Sequence, residues 1–175
     1  MNSIHDKENW KFGENLNGKM DLSKIGLIGH SSGGGASVLY SVEDERIKCL
    51  FGMDPWTEPI NQDIIEKGLN ASAIFLRSAH WEEHPNNPSL FRLIENSKDI
   101  KGLYQIEGTT HADFTMAYMY SRLTGVFHIT GKQDRSTYSD IQNKFILSFF
   151  ENILKNQATD FDNIHMQYNQ VTRWK

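Results

Sequence analysis

The sequence predicts an α/β domain that spans residues 1–175, with a mostly parallel sheet of about four or five strands flanked by helices. Two observations lead to this fold class. Short apolar, β-branched runs alternate with segments of helical character, and a glycine-rich turn joins the first run directly to the first helix. Alternation of this kind builds βαβ units, whose strands lie parallel. A chain of 175 residues is near the usual size of one domain and can bury a sizeable core.

The elements follow from the hydrophobic pattern in chain order. The predicted strands are residues 24–29, 47–53, 73–77 and 103–106. The predicted helices are residues 36–42, 89–96 and 141–153. The last of these carries apolar side chains at every fourth position, which is typical of a helix packed on a sheet: Ile141, Phe145, Phe149 and Ile153. Residues 1–23 have loop composition, and the polar tail 157–175 is given no structure.

Composition excludes several function classes. The formal net charge of −4 gives no electrostatic reason to expect a nucleic-acid partner. No apolar run approaches the roughly 20 residues of a transmembrane helix. The single cysteine, Cys49, has no partner for an internal disulfide. The N-terminus is polar and carries no signal peptide, which predicts a cytoplasmic protein if this N-terminus is the native one.

A G-x-S-x-G motif, Gly29-His-Ser-Ser-Gly33, lies between the first strand and the first helix. This is the context of a nucleophile elbow, in which a strained turn exposes the serine, so we expect Ser31 to be a nucleophile. The positions two before and two after the serine, Gly29 and Gly33, are expected to require small residues so that the strand and the helix can approach each other. The backbone N–H of Ser32, at the helix N-terminus, would donate to an oxyanion. The motif predicts the nucleophile-bearing part of an α/β-hydrolase.

A serine nucleophile needs a base and an orienting acid, which follow it in the order acid, then histidine in this fold. His111 follows the fourth strand, at the edge of the sheet where catalytic groups gather. Asp54 ends the second strand and precedes a proline, which makes it our favoured acid. Glu82 and Glu83, after the third strand, are the alternatives.

The segment from His80 to His84 matches H-x-x-E-H, an inverted zinc-protease motif. Zinc binding there requires both histidines on one helical face. Pro85 disfavours helical conformation at His84. We therefore predict no metal, and the sequence implies no organic cofactor.

Two residue passages, together with the elbow, resemble the plasma and intracellular type II platelet-activating factor acetylhydrolases. The resemblance covers residues 22 to 113 and includes Gly29-His-Ser-Ser-Gly-Gly34, the passage from Glu43 to Cys49, and Met53-Asp-Pro-Trp56. It implies a Ser31–Asp54–His111 triad and cleavage of the short sn-2 acyl ester of a phospholipid. Trp56 and Trp81, near strand ends, are candidates for the wall of the acyl pocket, although either could belong to the core.

A complete α/β-hydrolase has strands upstream of the nucleophile strand, and a loop after one of them gives a second oxyanion donor. Residues 1–23 contain no equivalent, so we expect an apolar edge at residues 24–29. Residues 1–23 could cover that edge, a second copy could pair with it as a homodimer, or the chain is a truncated product or an excised domain. Two other functions remain open: a general carboxylesterase or dienelactone-hydrolase-like enzyme, and a non-catalytic fragment that acts as an association module.

Overall fold

A computed structural model describes residues 18–121 and 123–174. Its sheet has five strands in the order β1-β2-β3-β4-β5. These strands are β1 (Ile25–His30), β2 (Ile47–Met53), β3 (Ser72–Ser78), β4 (Ile100–Ile106) and β5 (Val171–Arg173). The first four are parallel, and β5 pairs antiparallel with β4. The predicted sheet of four or five mostly parallel strands is confirmed, and the fifth strand lies in the tail that was given no structure.

Helices occupy the connections between the strands. The α-helices are α1 (Ser31–Glu43), α2 (Gln62–Lys67), α3 (Asn87–Asn96), α4 (Ala117–Tyr120), α5 (Leu123–Val126) and α6 (Arg135–Lys155). Short 3₁₀ helices cover Ala79–Trp81, His111–Thr115 and Phe161–Gln167. Helix α1 begins at Ser31 instead of the predicted residue 36, because the glycines that read as a turn form its first turns. The predicted amphipathic helix is the central part of α6, with Ile141, Phe145 and Phe149 fully buried.

Two apolar cores lie on opposite faces of the sheet. Successive side chains of a strand point to opposite faces, and Leu50 and Phe51 of β2 accordingly belong to different cores. The core that includes α6 contains Phe51, Tyr104, Phe145 and Phe149. The core that includes α1 and α3 contains Val38, Leu50, Phe75, Leu90 and Leu93. This arrangement buries both faces of β2, β3 and β4 and leaves the carboxyl ends of the parallel strands free for a site.

Strand β1 is an edge in the part of the chain that the structure describes. It pairs with β2 on one side, and no described strand pairs with its other side. Ile28, in the middle of β1, is 47% exposed. Residues 1–17, the first part of the segment predicted as a loop that could cover this edge, lie outside the described residues. Among the described helices, none has the length and apolarity needed to cross a membrane.

Candidate active site

The nucleophile candidate lies in a strained turn between β1 and α1. Ser31 has a backbone φ of 55°, a conformation that L-residues rarely adopt. The residue before it, His30, is still extended. A Cβ built at Gly29 would lie 2.5 Å from the carbonyl oxygen of Gly33, so strand and helix approach too closely for any side chain there. This geometry places a half-buried serine in the tight turn between a strand and the helix that follows it, as a nucleophile elbow requires.

The glycines after the serine have a different role from the one expected at Gly33. A Cβ at Gly33 would meet no described atom within 4 Å, so the expectation that Gly33 must be small is wrong for the packing described here. A Cβ at Gly34 would lie 2.8 Å from Cα of Pro55, and one at Gly35 would lie 2.2 Å from the carbonyl oxygen of Trp56. These two glycines admit the loop after β2 against the first turns of α1.

That loop carries the acid candidate. Asp54 is buried and has a φ of 38°, and its N–H donates to the carbonyl of Leu76 on β3 at 2.9 Å. Its carboxylate accepts three hydrogen bonds. The N–H of Ser78 donates to Oδ1 at 2.8 Å, the hydroxyl of Ser78 donates to Oδ2 at 2.6 Å, and Nδ1 of His111 lies 3.0 Å from Oδ2. A fully buried carboxylate is thereby satisfied, as its burial demands.

His111 begins a 3₁₀ segment, His111–Thr115, that a capping box holds in place. Oδ2 of Asp113 accepts from the N–H of Thr110 at 2.7 Å and from the N–H of Gly131 at 2.8 Å. The His111 side chain is 30% exposed, so one ring edge faces the buried acid while part of the ring remains accessible. With Nδ1–H donating to Asp54, Nε2 is free to accept a proton; this tautomer is inferred from the hydrogen bond.

The rival acids and nucleophiles are placed elsewhere. Glu82 and Glu83 are exposed, and Oε2 of Glu82 accepts a hydrogen bond from Nε2 of Gln105 at 3.1 Å. The geometry therefore brings Asp54, not the glutamates, to His111. Cys49 is fully buried in β2, and burial raises the pKa of its thiol to about 12, which leaves no thiolate for chemistry at neutral pH.

Aromatic rings surround the imidazole of His111. The indole of Trp81 is parallel to it within 3°, with 4.4 Å between ring centroids. The ring of His84 stacks on Trp81 at 4.2 Å and 6°. The ring of His30, tilted by 41°, lies 4.3 Å from His111. Burial, followed by the nearby His111, lowers the pKa of His30 and favours its neutral form.

One buried amide, that of Asn86, links the loops of the site, and no sequence pattern identifies it. Oδ1 of Asn86 accepts from the N–H groups of Thr57 and Glu58 at 2.6 and 2.9 Å, and its Nδ2 donates to the carbonyl of Pro55 at 2.9 Å. The N–H of Asn86 also donates to Nδ1 of His84 at 3.1 Å. Asn86 and Ser78 are the positioning groups that sequence reasoning missed, because only the fold brings them to Asp54 and its loop.

The two tryptophans proposed for an acyl pocket have different surroundings. Trp56 is 43% exposed. Its backbone N–H donates to the backbone carbonyl of Ser31 at 2.9 Å, and this bond connects the loop that carries Asp54 to the elbow. It lines an open, mostly apolar groove of about 450 Å³ beside the elbow, together with Ser32, Leu39, Ile60 and Ile64. Trp81 is 8% exposed and lies between two imidazoles, outside that groove.

The H-x-x-E-H segment does not form a helix that spans both histidines. His80 lies in the 3₁₀ helix Ala79–Trp81, and His84 follows it in a turn. Nδ1 of His84 accepts a hydrogen bond and its ring stacks on Trp81. Within residues 18–121 and 123–174, the structure contains no group of three or more histidine, cysteine or acidic side chains placed to hold a metal.

Sequence comparison assigns the chain to a family. The family profile described as platelet-activating factor acetylhydrolase, isoform II, matches residues 2–171. This chain belongs to that family. It is 31% identical over 154 residues to the platelet-activating factor acetylhydrolase of Canis lupus familiaris, covering 85% of this chain and 33% of the relative. It is 27% identical over 143 residues to that of Cavia porcellus, covering 81% and 32%. The chain thus spans about a third of the length of these curated relatives.

The fold has a relative among solved structures. The ferulic acid esterase from Streptomyces cinnamoneus superposes with a TM-score of 0.68 at 16% identity, covering 99% of this chain and 58% of that chain. At this identity the likeness concerns the fold alone. It confirms the expectation of a partial α/β-hydrolase fold.

Proposed function

We propose that this chain carries the catalytic machinery of a serine carboxylic-ester hydrolase whose substrate is a phospholipid with a short sn-2 acyl group. The observation that carries the proposal is the pairing of His111 with the buried Asp54, held beside a strained serine elbow by the bond between the Trp56 N–H and the Ser31 carbonyl. Membership of the platelet-activating factor acetylhydrolase family supports the substrate class.

The proposed reaction proceeds through an acyl-enzyme. Oγ of Ser31 attacks the ester carbonyl while Nε2 of His111 accepts its proton, and the carboxylate of Asp54 stabilises the imidazolium that forms. The N–H of Ser32 donates to the oxyanion. Collapse of the tetrahedral intermediate breaks the bond to the alkoxide, which leaves as the alcohol with the proton from His111. Water, deprotonated by His111, then hydrolyses the acyl-enzyme and regenerates Ser31.

Two surfaces favour a lipid over a small soluble ester. The groove beside the elbow is mostly apolar and can accommodate an acyl or alkyl chain. The segment after His111 also exposes a run of large apolar side chains, which is unusual for a surface that meets only water. These residues are Met119, Tyr120, Leu123, Val126, Phe127 and Ile129.

A fluorophosphonate probe tests the proposed nucleophile, because it reports an activated serine without requiring the natural substrate. We expect stoichiometric labelling at Ser31, located by mass spectrometry, and complete loss in Ser31→Ala. Ser37→Ala is the matched control, since Ser37 is a half-buried serine of the same helix whose hydroxyl donates to the carbonyl of Gly33. Labelling at Ser32, or none in the wild-type chain, would contradict the proposal.

A substrate panel tests the finer claim. We expect hydrolysis of phospholipids with a short or oxidised sn-2 chain at a higher kcat/KM than hydrolysis of p-nitrophenyl acetate. A preference for simple esters or lactones would indicate the general carboxylesterase or dienelactone-hydrolase-like alternative. A chain that folds but neither labels nor turns over would indicate the non-catalytic association module.

A further inference from the structure

The stack of rings beside the acid–base pair has no role in the proposed reaction as described above. Its members are Trp81, with His111 on one side at 4.4 Å and His84 on the other at 4.2 Å, all nearly parallel. From this geometry we infer that Trp81, supported by His84, is a positioning residue that fixes the ring plane of His111 during proton transfer. The inference rests on the proposed function.

The hydrogen bond to Asp54 leaves one freedom of the imidazole unrestrained. A bond at Nδ1 fixes the position of that atom, but the ring can still rotate about the axis from Nδ1 to Oδ2 of Asp54. Such a rotation turns the ring plane and changes the direction of the lone pair of Nε2, through which the base would accept a proton. A flat indole in contact with the ring face opposes the rotation, because a tilted imidazole would collide with it or lose the contact.

Contacts on the side of Trp81 that faces away from His111 restrict the motion of the stacked rings. Trp81 is buried in the 3₁₀ helix Ala79–Trp81, and His84 covers its second face. His84 itself accepts the bond from the N–H of Asn86, whose side chain bonds the acid loop at Pro55, Thr57 and Glu58. The segment that carries Trp81 and the loop that carries the acid are thus tied to one another.

The same contact favours the charged form of the base. When His111 accepts the proton it becomes a cation 4.4 Å from the centroid of an indole, which is the arrangement of a cation–π interaction. The stabilisation acts only in the protonated state, that is, in the transition state and the tetrahedral intermediate. An effect confined to those states changes kcat and leaves KM nearly unaltered.

This role differs in a measurable way from that of an acyl-pocket wall. A wall residue contacts the substrate, so its removal raises KM and does so in proportion to acyl-chain length. A positioning residue changes kcat equally for all chain lengths. The two roles are separated by kinetics on p-nitrophenyl acetate, butyrate and hexanoate.

The decisive pair of variants is Trp81→Phe and Trp81→Leu. Both leave space where the indole was, but only phenylalanine restores a flat ring against His111. We expect Trp81→Leu to lower kcat by about 10- to 100-fold at nearly constant KM, the effect of a misplaced catalytic group, and Trp81→Phe to retain kcat within about threefold. His84→Ala should lower kcat by a few-fold only, because it loosens the stack without removing the ring on His111.

Tyr40→Leu is the matched control, since Tyr40 is an aromatic residue exposed on α1 that belongs to neither the stack nor the groove. Circular dichroism and thermal unfolding identify any variant that fails to fold, in which case the comparison of Trp81→Phe with His84→Ala remains. Equal losses in Trp81→Phe and Trp81→Leu, or a loss in KM that grows with chain length, would overturn the inference. If wild-type Ser31 is not labelled by the fluorophosphonate probe, the proposed function fails instead.

Discussion

The two flanks of the nucleophile strand differ in how completely the described chain builds them. On the side of β2 and β3, a buried carboxylate, a histidine and their supporting loops are linked by hydrogen bonds and stacked rings. On the other side, β1 has no described strand beside it, and Ile28 is 47% exposed. Ser31 therefore lies between a side of the sheet on which the acid and the histidine are both present and a side on which no described strand pairs with β1.

The difference concerns two distinct requirements of acyl transfer. Proton transfer needs the acid, the base and the serine, and all three are within the described residues. Oxyanion stabilisation in this fold uses two donors, one beside the nucleophile and one in a loop upstream of the nucleophile strand; among the described residues we propose the N–H of Ser32 for the first. We therefore expect an activated serine whose turnover is limited by the open side.

The largest expected effect is on the acid–base side. Asp54→Asn should lower ester turnover by about 10⁴-fold, because an amide at this position favours the wrong tautomer of the histidine and cannot stabilise its cation. Steady-state kinetics on a p-nitrophenyl ester measure the effect. Glu83→Gln is the matched carboxylate-to-amide control, at an exposed position in the loop after β3. A mild loss of turnover in Asp54→Asn together with a severe loss in Glu83→Gln would mean that the acid follows β3 and that Asp54 is not the acid.

The open side should reduce turnover and promote association. The described residues offer one proposed oxyanion donor, and removal of one such donor typically costs about 10²–10³ in rate, so we expect ester turnover lower by that factor than in an esterase with two donors. The apolar edge should also pair with a second copy, which sedimentation velocity would detect as a dimer.

Two variants locate that dimer interface. Ile28→Lys places a charge on β1 and should yield a monomer, whereas Leu147→Lys, at a similarly exposed position on α6, should not. A monomer with full-length turnover would mean that residues 1–23, or another element of this chain, complete the site.

Two glycines of α1 test whether the acid loop depends on close packing against this helix. Gly35 contacts the loop after β2, whereas Gly33 has no described atom near its Cβ position. Gly35→Ala forces a methyl group to within 2.2 Å of the Trp56 carbonyl oxygen and should cost about 1–3 kcal/mol of unfolding free energy. Gly33→Ala meets no described atom within 4 Å and should be neutral or stabilise by up to about 1 kcal/mol. Urea unfolding of both variants measures the difference. Equal effects would mean that the acid loop does not depend on this close approach.

Sequence reasoning predicted the parallel strands well because their apolar runs are short and bounded by turn residues, and β2, β3 and β4 are buried on both faces. It missed β5 because Val171–Arg173 offers three residues with only one buried side chain. It expected Gly33 to be the crowded position, because a motif identifies small residues but not which neighbour crowds them. Contacts with the loop after β2 place that requirement at Gly34 and Gly35 instead.

The candidate site divides in the same way. Ser31, Asp54 and His111 could be proposed from sequence because Ser31 and Asp54 directly follow strands and His111 lies in the loop after the fourth strand, in the expected order. Ser78, Asn86 and the contact of Trp81 with His111 could not, because Asp54, Pro55 and His111, their respective partners, are 24, 31 and 30 residues away along the chain. For Trp81, hydrophobic pattern alone could not distinguish a pocket wall from a ring packed on the base.

The smallest expected effect is on the pH dependence of stability and concerns His30. This residue ends the edge strand β1, and its ring lies 4.3 Å from that of His111. Burial lowers its pKa below 6.5 in the folded protein. Between that lowered value and 6.5, the unfolded chain binds more protons than the folded one, so stability rises with pH. The stabilisation is therefore fully present above pH 6.5 and is lost as the pH falls through the folded pKa.

We expect the free energy of unfolding of the wild-type chain to decline over this window and that of His30→Gln to decline less steeply. Urea titrations between pH 5 and pH 8 measure both slopes, and the same exchange at exposed His80 controls for removal of an imidazole from the chain. Identical slopes in the wild type and His30→Gln would mean that folding leaves the pKa of His30 unchanged, which would contradict the lowering by burial.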